Sequence, residues 1–135
     1  MNIELTPKEF RRLLDMAFIG NWVLNSTRGD DRLTDYDDVE SRLFLEALLS
    51  GMTALAEIRD GAVLPSAEFE AGGIHEAIAD YEDTIFFEIL AEELARRDMN
   101  FAPISSENMG ELTSRIDEYI EEFEENGMEH IVLEK

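Results

Sequence analysis

The chain has 135 residues, 44% of them apolar, with eight Phe, one Trp and no Cys. That length suits one domain with a buried core, and the apolar share excludes intrinsic disorder as the default. Lack of Cys excludes disulfides, Cys-based zinc sites and thiol chemistry. Acids number 32 against 11 bases, for a net charge of −21.

Thr6-Pro7-Lys8-Glu9 opens the first predicted helix. Thr caps it, Pro takes the first helical position and Glu completes a capping box. Phe10, Leu13, Leu14, Ala17 and Phe18 follow with helical spacing. The helix should stop between Asn25 and Arg28, and the polar stretch Arg28–Asp38 connects it to the next.

The second predicted helix starts near Thr34 or Asp35 and runs to Asp60-Gly61, with Phe44, Leu48, Gly51, Leu55 and Ile58 as its stripe. Ala47, Ser50, Gly51 and Ala54 beside that stripe are small enough for a second helix to approach closely. Ala62–Gly73 reads as a loop. The third helix spans about Gly73 to Asp98 and is apolar nearly all round, which predicts a central helix with neighbours on two sides. The fourth runs from about Ser106 to Asn126 with the stripe Met109, Leu112, Ile116, Tyr119, Ile120 and Phe123, and Gly127 ends it. Ile3 and Leu5 pairing with His130–Leu133 would make a short terminal two-stranded ribbon. The expected fold is all-α, an irregular bundle of about four helices in a single domain over residues 1–135.

Charge limits the partners. Residues 1–60 hold 12 acids and 7 bases, and residues 61–135 hold 20 acids and 4 bases. From Gly61 to Ala95 there are nine acids and no base. Such a chain repels nucleic acids and anionic membranes and attracts basic proteins or divalent cations. An acidic surface also serves solubility, and the excess of Arg over Lys fits adaptation to high salt. No secretory signal stands at the start, and the longest charge-free stretches fall short of the ~20 residues of a membrane span. These features predict a cytoplasmic protein.

The sharpest acidic feature is Asp117-Glu118-Tyr119-Ile120-Glu121-Glu122-Phe123-Glu124-Glu125, six acids in nine residues on the predicted fourth helix. Asp117, Glu118, Glu121, Glu122, Glu124 and Glu125 should project into solvent as a partner-binding face, and they resemble phosphates along a duplex. Other carboxylates have metal-holding spacings. Glu82, Glu88 and Glu92 on the third helix are the candidate Mg²⁺ or Mn²⁺ ligands. Asp37/Glu40 and Glu57/Asp60 form two pairs whose spacing resembles that of the all-α nucleotide pyrophosphohydrolases. They depart from that family by opening the first pair with Asp and by placing both pairs on one predicted helix. A di-iron site needs Glu-x-x-His, and Gly72 and Gly127 stand where His75 and His130 would need the Glu. No Ser nucleophile motif, P-loop or dinucleotide fingerprint occurs.

No catalytic residues are assigned. The expected function is a non-catalytic acidic interaction protein that binds a basic protein partner, of inhibitor, immunity-like or nucleic-acid-mimic type. The alternative is a metal-dependent all-α hydrolase acting on a phosphorylated small molecule. A homodimer built on the small-residue stripe or on the fourth helix is a third reading.

Overall fold

The computed structural model describes residues 1–134. It is predominantly helical, with α1 (Pro7–Asn25), α2 (Thr34–Leu49), α4 (His75–Asp98) and α5 (Met109–Asn126) as the long elements. Between α2 and α4 lie β1 (Ala56–Arg59), β2 (Ala62–Pro65), a short turn of helix α3 (Ala67–Phe69) and a π-type turn (Glu70–Ile74). The all-α class and the four long helices are those expected. The two-stranded ribbon is internal, and residues 1–6 and 131–134 carry no regular structure. No helix among the described residues is long and apolar enough to cross a membrane.

The chain divides into two compact units, Met1–Ile78 and Ala79–Lys135. In the first, α1 begins as its sequence dictates. The Glu9 amide donates to Thr6 Oγ1 at 3.2 Å, and the Thr6 amide donates to Glu9 Oε2 at 2.8 Å. Leu14 and Phe18 on α1 and Phe44 and Ala47 on α2 meet Ala56, Phe69, Ile74 and Ile78 in the core. Phe69 is the hub, with its ring 5.0 Å from Phe44 and 5.5 Å from Phe18. Ser66, just before it, caps the α3 turn by accepting from the Phe69 amide, and its hydroxyl donates to the Ala54 carbonyl at 2.5 Å.

The second helix is shorter than its period predicts, and the reason is local. The Met52 amide reaches back to the Ala47 carbonyl and the Gly51 amide to the Leu48 carbonyl. That bond pair is a Schellman ending, and it places Gly51 at φ 87°, a left-handed conformation open to Gly at little cost. A Cβ on Gly51 would meet nothing within 4 Å, so the glycine serves the helix end rather than close packing. The segment beyond pairs in antiparallel register, Ala56 with Pro65 through Arg59 with Ala62. Asp60 (φ 53°) and Gly61 (φ 80°) form the two-residue connection, the backbone of a type I′ hairpin turn. Glu57 and Asp60 therefore sit on a hairpin, not on a helix with Asp37 and Glu40.

In the second unit α4 and α5 run in opposite senses. The Phe87 ring lies 5.3 Å from Phe123 near one end, and Tyr119 bonds to Asp98 at the end of α4. Ala91 and Ala95, one turn apart on α4, are fully buried, and Leu112 and Phe123 on α5 are buried as well. The connection starts with a second Schellman ending, Phe101 to Arg96 and Asn100 to Arg97. Asn108 then closes it by accepting from the Ser105 amide and donating to the Pro103 carbonyl. The sequence predicts α4 to be covered on two sides, but among the described residues Tyr81, Phe86 and Ile89 on it are exposed.

Candidate functional site

The acidic row lies where its period places it. The buried side of α5 carries Leu112 and Phe123, so the intervening acids turn outward. Asp117, Glu118, Glu121, Glu124 and Glu125 are exposed, and no ion pair among the described residues reaches any of them. Glu122 differs. It is half-buried, accepts from Asn126 Nδ2 at 3.0 Å and lies 2.5 Å from His130 Nδ1.

Among the described residues the arginines of this unit form no ion pair with the row. Arg96 binds Glu92 at 2.8 Å, Arg97 binds Asp98 at 2.9 Å and Arg115 binds Glu111 at 3.1 Å. Asp98 also accepts from the Tyr119 hydroxyl. That bond, with the Arg97 guanidinium, holds the Asp98 carboxyl below its ordinary range, and the same bond raises the Tyr119 phenol, with burial adding to it. Arg96 and Arg115 thus pair within their own helices, and Arg97 with Asp98 links the end of α4 to Tyr119 on α5.

Glu82, Glu88 and Glu92 do not gather. Glu82 and Glu88 are exposed and Glu92 is engaged by Arg96. Among the described residues no group of three or more His, Asp or Glu side chains has the arrangement of a metal site. Glu88 instead lines, together with Glu124, a cleft between α4 and α5 of about 250 Å³, with Thr84, Phe87, Ile120 and Phe123 as its other walls. Two acids singled out separately in the sequence therefore share one feature of the structure.

The first unit holds a polar cluster that the sequence reading missed. Asn25, the last residue of α1, is almost fully buried. Its Nδ2 donates to Asn21 Oδ1 at 2.6 Å and to the Leu33 carbonyl at 3.0 Å, and its Oδ1 accepts from the Leu33 amide at 2.8 Å. Asn21 Nδ2 then donates to Asp37 Oδ1 at 2.9 Å and Glu40 Oε2 at 3.2 Å. Arg32 forks onto Asp37 at 2.6 and 2.8 Å. The signal was legible, because Asn21 and Asn25 continue the i, i+3, i+4 phase of Leu14 and Phe18 into the core.

The cluster separates two carboxylates chemically. The Arg32 bonds hold Asp37 below the ordinary range. Burial pushes Glu40 above it, with Asp37 and Glu70 nearby adding repulsion. A cleft of about 220 Å³ beside Glu40 is walled by Phe18, Asn21, Trp22, Ser26, Arg32 and Glu70. His75, 3.3 Å from Glu70 Oε1, stands edge-on to the Trp22 ring. Split carboxylates in a cleft are a recurring mark of function. Here, however, every buried side-chain donor and acceptor among the described residues has a protein partner. The network closes on itself and ties α1 to the start of α2, which is a structural task.

No protein-family model matches the chain, and no curated protein or solved structure matches it.

Proposed function

We propose that the protein is a non-catalytic interaction protein that binds a basic protein partner through its acidic second half, in the manner of an inhibitor or a nucleic-acid mimic. The observation that carries this reading is the pairing pattern of the second unit. Arg96, Arg97 and Arg115 each have an acid of their own, while Asp117, Glu118, Glu121, Glu124 and Glu125 stand exposed without one. Like charges one turn apart on a helix oppose its stability by ~0.2–0.5 kcal/mol per pair, and a cationic partner would relieve that repulsion on binding. Desolvated acid–base contacts also give specificity and fast association rather than depth of affinity.

The test compares capture from native extract at low salt by the wild-type chain and by a chain carrying Asp117→Asn, Glu118→Gln, Glu121→Gln, Glu124→Gln and Glu125→Gln. A basic protein retained by the first and lost by the second supports the reading. A partner held equally by both contradicts it.

A further inference from the structure

We propose that the cleft between α4 and α5 seats an apolar side chain of the basic partner, presented on an amphipathic helix with Lys or Arg on either side of it. The inference rests on the proposed electrostatic reading and adds where the partner docks and what it brings.

The cleft arises from residue size. Farther along α4, Ala91 and Ala95 are fully buried. At Thr84 the wall residue is short and exposed, and its hydroxyl turns back to the Asp80 carbonyl at 3.0 Å. The space beside Phe87, Ile120 and Phe123 is therefore left open. Water there touches aromatic and aliphatic surface, and displacing it with an apolar group is favourable.

Charge selects the occupant. Glu88 on the α4 wall and Glu124 on the α5 wall are both exposed and in no ion pair among the described residues. Asp117 and Glu121 precede Glu124 by two turns and one turn on α5. A neutral apolar ligand would leave these carboxylates unanswered. A second copy of the chain would set a body of net charge −21 against another of the same sign, which costs rather than contributes free energy. A helix carrying an apolar residue at i and cations at i−4 or i−3 and at i+3 or i+4 answers both features. Such neighbours lie ~5–6 Å from the anchor on either side, so one cation meets each wall while the anchor enters between them. Helix-in-groove docking reads its partner by this spacing.

The experiment uses the full chain and two fluorescein-labelled synthetic helical peptides of equal positive charge, one of Leu and Lys and one of Ala and Lys. Anisotropy is followed at low salt. The Leu/Lys peptide should bind about tenfold or more tighter, since the larger anchor buries several more methylene-sized groups. Thr84→Phe, a change at an exposed position that fills the cleft, should erase that preference while leaving the charge-driven binding of both peptides. Glu88→Lys with Glu124→Lys should weaken the Leu/Lys peptide by about tenfold or more, which keeps the proposal falsifiable should Thr84→Phe fail to fold. Equal affinity for the two peptides would overturn the cleft and leave the electrostatic reading standing. Failure of both peptides to bind would overturn the electrostatic reading, and the cleft with it. Self-association in sedimentation that Thr84→Phe abolishes would assign the cleft to a second copy and overturn the proposal.

Discussion

Replacing Asn25 with Ala should destabilise the first unit more than its position at a helix end suggests. Asn25 makes the three hydrogen bonds described above, to Asn21 Oδ1 and to both backbone groups of Leu33. Leu33 is the N-cap of α2 and receives no side-chain cap of the usual kind, so Asn25 closes the chain between α1 and α2. At about 1 kcal/mol for each bond the loss comes to about 3 kcal/mol, which lowers the unfolding midpoint of a unit this size by about 10 °C or more. Circular dichroism melts of wild type and variant give the number. Asn25→Asp should fare no better, because a carboxylate accepts from the Leu33 amide and cannot donate to Asn21 or the Leu33 carbonyl. A midpoint within about 2 °C of wild type for Asn25→Ala would refute the view that this network ties α1 to α2.

Glu40 supplies a pH test. Burial raises its folded pKa above the ordinary 4.5, so the folded state binds its proton more tightly than the unfolded state does. That stabilisation is present in full below the unfolded pKa and is lost as pH rises through the folded one. Glu40→Gln, which keeps an acceptor for Asn21, should therefore melt higher than wild type at neutral pH, with the gain vanishing in acid; melts across pH 3 to 8, roughly spanning the carboxylate range, decide it. Gly51→Ala meets no atom within 4 Å, so its cost is the left-handed backbone alone, about 1 kcal/mol. Urea unfolding at that site should show such a loss, and a neutral result would mean that α2 ends in some other way.

Much of the helical content was legible because helix termini carry chemistry. Thr6-Pro7-Lys8-Glu9 announces α1, and Gly127, the C-cap residue, marks the end of α5. The same local language was misread between Gly51 and Pro65. Phe44, Leu48, Leu55 and Ile58 happen to keep a helical phase, and that long-range period was preferred to two short signals. One is Gly51 after a helical run, the other Asp60-Gly61 between Ile58-Arg59 and Ala62-Val63, and the second is among the strongest hairpin signatures. In the structure Leu48 packs on the first unit's core from α2 and Leu55 from the bend just before β1, while Ile58 is exposed.

The candidate site divides in the same way. The outward direction of the acids on α5 follows from one helix period and could be read in advance. The presence of Glu88 and Glu124 on one cleft depends on the register between two antiparallel helices. Phe87 meets Phe123 across that helix pair, and no single segment encodes the register. The Asn21–Asn25 pair was overlooked for a different reason. Polar residues in phase with a core stripe look like interruptions until the groups that satisfy them, here on Leu33, Asp37 and Glu40, are brought close by the fold.

The most direct test of the central claim is the dissociation constant of the purified basic partner, measured with the intact chain from low to high salt. Binding driven by the bare acids of α5 should weaken by more than about tenfold over a tenfold rise in ionic strength, as screening shortens the reach of those charges. An affinity that holds constant over that range would contradict the account.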